Sequence, residues 1–343
     1  MSTTQTGQNP GKNTEDGERR ALLSHKISEL SLKIAGTRLE ALVAQLYDEL
    51  EHAGITLKPK AYLSDEWGCP DRVPVIGIPF YLADPELSQM EGELTDEEAE
   101  DEAEVIMYLR HEAGHAFNYA YRLYLQPKWQ QLFGPITQAY QEDYRTVPFS
   151  ARFVRHVPGW YGQKHPDDDF AETFAVWLTP GSNWRVRYAG TLALTKLLYV
   201  EQVARQYGRQ PPLVTDDTPD TPVEEIEMTL EEWYAPVEDG TDATCALPPI
   251  LDEDLRALFT AAEGQPAADV VRIYRRHLLH DLYRWTGVNR RMLNALMEEL
   301  LTRIEGLELK IQADQTLVRM ANLSIFLTTL VMNYNYTGQF VNP

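Results

Sequence analysis

The run from Phe170 to Leu178 is apolar on nearly every face that a helix would present, and Glu172 is the only charge in it. A helix with no polar side has to lie inside a core. Its carboxylate must then be paired with a base, protonated, or bound to a cation. Just ahead of it, Pro166-Asp167-Asp168-Asp169 suits a helix start: proline fits the first turn, and acids complement the positive end of the helix dipole. The chain is committed to folding around a buried acid, and another part of the sequence has to compensate it.

Upstream, His111-Glu112-Ala113-Gly114-His115 offers a cation site. Two histidines four residues apart on a helix project from one face, within reach of a single metal ion. Glu112 lies beside the first of them, placed to take a proton from a bound water and return it to a leaving amine. Zinc suits such a set, because it lowers the pKa of its water towards neutrality and polarises a carbonyl. The flanking Leu109, Ala116 and Phe117 are uncharged, as a buried helix requires. A catalytic zinc takes three protein ligands plus water, and Glu172 is the expected third ligand. Two plainer readings stand beside this one. The histidines would lie on the surface of an amphipathic helix, or Glu172 would form a structural ion pair with Arg185, Arg187 or another base.

Arg110-His111-Glu112-Ala113-Gly114-His115, followed by Asp169-Phe170-Ala171-Glu172-Thr173-Phe174-Ala175, resembles the gluzincin metallopeptidases, and among them the bacterial zinc-binding metallopeptidase family. The Phe-Ala-Glu-x-Phe segment is also similar to that of anthrax lethal factor. The resemblance covers roughly residues 55–205 and rests on two short motifs. It implies a zincin-like catalytic domain with His111, His115 and Glu172 on zinc and Glu112 as general base and acid. Two departures stand out. The thermolysin-like branch carries an aspartate four residues after its glutamate ligand, where this chain has Val176. The lethal-factor pattern carries a tyrosine seven residues before the ligand, where this chain has His165. The group stabilising an oxyanion is therefore open among His165, His156, Tyr161 and Tyr199.

Other features are weaker. Asn118 and Tyr121 stand where the extended metzincin pattern needs glycine and histidine, which excludes that branch. Cys69, in Glu66-Trp67-Gly68-Cys69-Pro70, only partly fits the deformylase ligand motif and reads more simply as a small buried residue. His277 and His280 read as a helix face rather than a second metal site. Trp160, Tyr161 and Trp184 flank Glu172 and would line a cleft or fill a core.

Along the chain, residues 1–20 read as a disordered tail and 21–207 as the catalytic domain. Within it, Leu22 to His52 has helical spacing with breaks at Gly36 and Gly54. Leu57–Leu63 and Val73–Leu82 read as strands, the second at an edge because of Pro74 and Pro79. Thr95-Asp96-Glu97-Glu98 fits a capping box for the helix that carries the two histidines. Residues 208–250 read as an acidic, Pro-rich linker or surface excursion, and 251–343 as a helical bundle. The expected fold class is α+β, mostly α, with a small sheet whose edge would accept an extended peptide.

A net charge of -21 argues against nucleic acid and against an anionic membrane surface as partners. The two cysteines, Cys69 and Cys245, form no framework, and no secretory signal or membrane span is legible, so a cytoplasmic location is expected. The apolar Ile325-Phe326-Leu327 region reads as a core helix. The expected partner is a peptide or protein substrate, with a further protein contact open to the C-terminal helices. A zinc hydrolase of a non-peptide amide and a binding protein with a vestigial metal site are the alternatives.

Overall fold

The computed structural model describes residues 19–95, 99–140, 144–235 and 247–341. Cys245, the Asp96–Glu98 run and nearly all of the expected N-terminal tail lie outside them. The chain is mostly helical, with one small parallel sheet and one two-residue antiparallel pair. Two apolar cores are present, one drawn from residues between Ile27 and Leu230 and one from residues between Leu247 and Val331.

The first core starts with α1, Arg38–His52, capped by the Thr37 side chain accepting from the Leu39 amide. Leu39, Leu42, Val43, Leu46 and Leu50 form its buried stripe, spaced three and four residues apart as a helix face requires. Two strands follow, β1 (Lys60–Ser64) and β2 (Val75–Pro79), paired in parallel. All five residues of β2 are buried. Gly68, in the connection between the strands, turns back and takes both the N–H (2.7 Å) and the C=O (3.3 Å) of Gly77. The edge expected to accept a peptide is closed at that residue by the chain's own backbone.

Next comes α2, Pro85–Leu94, which hydrophobic spacing did not reveal. Thr95 is its C-cap, with the backbone N–H bonded to the Glu91 carbonyl, so Thr95 does not open the following helix. That helix is α3, Glu102–Ala120, and its capping box is Asp101 with Glu104. The acidic run contains two overlapping cap-like patterns, and sequence alone favoured the earlier one. Arg110 of α3 forms a two-pronged ion pair with Glu49 of α1, both bonds 2.7 Å long, which fixes the two helices against each other. After α4 (Pro127–Phe133) come α5 (Pro166–Leu178) and α6 (Leu192–Tyr207).

Helices α3 and α5 cross at Gly114 and Ala171. A Cβ placed on Gly114 would lie 2.7 Å from the Ala171 Cα and 2.9 Å from its carbonyl oxygen. Only two small residues allow backbones this close, so the Ala-Gly inside the histidine motif is a packing requirement. Residues 208–235 then run back over the same core. Leu213 and Val214 donate to the Ala120 carbonyl at the end of α3, and Val223, Ile226 and Leu230 are buried in the first core. This stretch is packed onto the first unit and does not span a gap.

The second core is built from α7 (Leu251–Leu258), α8 (Ala267–Thr286), α9 (Arg290–Gly306) and α10 (Thr316–Thr337). Helix α10 buries Leu323, Leu327, Leu330 and Val331 but exposes Leu317, Val318 and Ile325. The core helix read around Ile325-Phe326-Leu327 is thus longer and more exposed than expected. By length and composition it is the one helix among the described residues apolar enough to cross a membrane, with 28% of that apolar window buried.

Candidate metal site

Helix α3 presents His111 and His115 on the face turned to α5, and the start of α5 presents its acids to them. Proline at the first position of α5 and the His165 ring, which accepts from the Asp167 amide, fix where that helix begins. The three aspartates read as dipole partners are all buried. Each has a separate job.

Asp167 Oδ2 lies 3.0 Å from His115 Nδ1 and also accepts from the Tyr119 hydroxyl, while its Oδ1 accepts from Asn118 at 2.6 Å. Asp169 pairs with Lys196, a buried lysine of α6. Asp168 Oδ1 stands 3.7 Å from His111 Nε2 and 3.6 Å from His115 Nε2. The two Nε2 atoms are themselves 3.1 Å apart. His111, His115 and Asp168 thus bring three ligand atoms together, and among the described residues they are the group whose geometry could hold a metal ion. A point about 2.0 Å from all three atoms exists, which is the length of a bond from a first-row divalent metal to nitrogen or oxygen.

Glu172 occupies a different position from the one expected. It is fully buried and its Oε1 lies 3.0 Å from His111 Nδ1, on the opposite side of the ring from the Nε2 cluster. The amides of His156 and Val157 donate to the same carboxylate at 3.0 and 3.1 Å. Glu172 therefore orients the His111 ring as Asp167 orients His115. The carboxylate oxygen grouped with the two Nε2 atoms comes from one helical turn earlier, at Asp168. Arg185 pairs with Glu201, and the base that Glu172 meets is His111.

The tautomers follow from this geometry. Each Nδ1 faces a carboxylate and would carry the proton in the neutral form of its ring, which would leave each Nε2 as a lone pair. Two lone pairs and a carboxylate oxygen then converge on one buried point, an arrangement that repels itself unless a cation fills it. Without a metal, protons serve. Burial disfavours the charged form of His111, but the hydrogen bonds it donates to Asp168 and Glu172 outweigh it and raise its pKa to about 9. His115 is pushed well above its ordinary value, where burial is again overcome, here by the charge and hydrogen bond of Asp167. Burial opposes ionisation of Asp168 as well, yet the two imidazoles hold it far below the usual carboxylate range.

Glu112 is buried in the same space. Burial lifts its pKa above the ordinary carboxylate range, and its Oε2 makes no hydrogen bond to any described residue. Asp168 Oδ2 and Asp169 Oδ1 are likewise buried without a hydrogen-bond partner, so acceptor capacity exceeds donors in this cluster. The Cys69 thiol donates to the Glu112 backbone carbonyl at 3.3 Å, and Cys69 is not in the ligand group.

Of the four residues weighed for an oxyanion, Tyr161 is the one whose ring packs against a ligand histidine, edge to face at 5.4 Å from His111. Its hydroxyl lies 3.4 Å from that of Tyr140. His165 caps α5, His156 bonds to the Met107 carbonyl, and Tyr199 bonds to Gln126. His277 and His280 line a cleft between the two units together with Glu100, Glu104 and Tyr108. Three consecutive acids entering a fully apolar helix were the signal that could have identified Asp167 and Asp168, since a dipole needs no more than an exposed acid or two.

Comparison with known proteins adds nothing to this: no family model, no curated protein and no solved structure matches the chain. Function has to be argued from the site itself.

Proposed function

We propose that this chain is a zinc-dependent metallohydrolase with a zincin-like catalytic unit, acting as a peptidase on peptide or protein substrates. His111, His115 and Asp168 would hold the zinc, and Glu112 is the general base and acid. The observation that carries this reading is the convergence of two oriented Nε2 atoms and one aspartate oxygen on a point at metal-bond distance, with an unpaired glutamate beside it. The gluzincin resemblance is kept for the histidine helix and its glutamate. For the third ligand, Asp168 replaces Glu172.

Bound zinc would acidify a water and polarise the carbonyl of the amide to be cleaved. Glu112, with its pKa raised by burial, is the group that would accept a proton from an attacking water and return it to the departing nitrogen. Asp167 and Glu172 hold both imidazoles in the tautomer that keeps Nε2 free. The Tyr161 phenol, seated against His111, is the donor suited to charge developing on the carbonyl oxygen.

The test is metal content together with turnover. One zinc per chain is expected, and Glu112→Gln should keep that zinc while peptide hydrolysis falls by roughly 10²–10⁴-fold. A fully active Glu112→Gln variant would remove the mechanism. A zinc-loaded chain that cleaves model non-peptide amides and no peptide would move the substrate class. Two histidines and one carboxylate also suit non-haem iron, so iron in place of zinc would redirect the reading to oxygen chemistry.

A further inference from the structure

The segment 144–160 touches both the metal site and the C-terminal helices. On one side, the Thr146 hydroxyl donates to the Thr286 carbonyl, and Asn335 Nδ2 donates to the Thr146 carbonyl at 3.0 Å. Trp160 Nε1 donates to the Trp285 carbonyl, also at 3.0 Å. The Arg155 guanidinium sits 4.3 Å from the Trp160 ring centre and 5.2 Å from that of Trp285, joining the two units through their aromatic faces. Backbones meet as closely as atoms allow: a Cβ on Gly287 would fall 2.5 Å from the Gly159 oxygen and 2.4 Å from the Thr146 methyl.

On the other side, the same segment supplies the amides of His156 and Val157 to Glu172. Only Pro158 separates Val157 from Gly159, and its ring fixes one backbone angle of that link. A shift at the anchors therefore reaches the amides with little slack. From the amides the path runs through Glu172 to His111 Nδ1.

We infer that the C-terminal helical unit is a positioning element of the metal site, and that Thr146 and Trp160 are positioning residues acting through His156, Val157 and Glu172 on the His111 ring. The inference rests on the metal reading given above and extends it to a unit that contributes no ligand. The buried polar side chains of the C-terminal helices fit this role. Among the described residues they are Thr286 and Asn335: the Asn335 side chain donates to Thr146, while the Thr286 hydroxyl donates to the Leu282 carbonyl and its backbone carbonyl accepts from Thr146.

The test uses the full chain with cobalt(II) in place of zinc, because the visible bands of cobalt report ligand geometry directly. Thr146→Val removes one donor and keeps the side-chain shape, and Trp160→Phe removes the indole donor while keeping an aromatic ring. Arg272→Ala, on the outer surface of α8, is the control. Cobalt titrations should show affinity roughly tenfold weaker in the double variant, at the low end of losses for residues supporting a metal ligand. The bands should change in intensity, with faster hydrogen exchange at the His156 and Val157 amides, while the control matches the parent. Parental affinity and spectrum in both single variants and in the double would overturn the inference and leave the metal reading intact. A parent chain that binds no cobalt would remove the metal reading, and the inference with it.

Discussion

Where α3 and α5 cross, the protein buries two histidines and five carboxylates, Glu112, Asp167, Asp168, Asp169 and Glu172, with Lys196 as the one buried lysine among the described residues. The core between α8, α9 and α10 is filled instead by Leu293, Leu296, Leu300, Leu327 and their neighbours. The second region is what hydrophobic burial alone produces. The first spends stability to keep charges out of water, and protons, Lys196 or a bound cation have to balance them. The contrast separates a region filled by hydrocarbon from one in which buried charge is concentrated.

The largest expected effect tests the apolar region. Leu327→Ala leaves a cavity in a fully buried position and should cost about 2–5 kcal/mol, measured by urea unfolding. Zinc stoichiometry should stay at the parental value below the transition. Loss of zinc in a chain that remains folded would blur the division between the regions.

Metal removal tests the polar region. With free zinc at a hundredfold excess over its Kd, binding should stabilise the chain by about 2.7 kcal/mol, and a chelator should remove that increment. The change should appear as altered hydrogen exchange in α3 and α5, smaller at the ends of α8 and α10 that bond to Thr146, and absent from α9. Equal protection in both regions on zinc addition would contradict the division.

Gly114→Ala tests the crossing itself. The added methyl has nowhere to go against Ala171, so an overpacking cost of about 1–3 kcal/mol is expected. Because the shift separates the histidines from Asp168, zinc affinity should fall far more than stability does. A variant that binds zinc normally would mean that the close approach is not what assembles the site.

A further effect is one of pH. In the metal-free chain His111 binds its proton up to about pH 9, against an ordinary value of 6.5. A histidine raised in this way contributes stability that is complete below pH 6.5 and lost as pH rises through about 9. Metal-free protein should therefore weaken across that window. Zinc binding near pH 7 should release protons, detectable with a pH indicator, and release fewer above pH 9. Zinc binding at pH 7 without proton release would show that the histidines were neutral beforehand.

How much of this was legible beforehand follows from the forces involved. The juxtaposition of His111 and His115 was legible from their fixed helical spacing, which short-range sequence encodes. The burial of Glu172 was equally legible, because no polar residue nearby could bring it to water. Its exact partner was not. One helical turn decides whether residue 168 or residue 172 meets the Nε2 side, and that depends on how far α5 slides along α3 at the Gly114–Ala171 contact. The separate helix at Pro85–Leu94, the closed edge at Gly77 and the return of residues 208–235 are tertiary outcomes of the same kind. Each depends on a distant surface and leaves little trace in local pattern.

The central claim is tested most directly by diffraction at the zinc absorption edge from crystals grown with zinc. The account predicts one anomalous peak within about 2.0–2.2 Å of His111 Nε2, His115 Nε2 and Asp168 Oδ1, with Glu172 still on His111 Nδ1. A peak ligated by Glu172, or no peak between the two histidines, would contradict it.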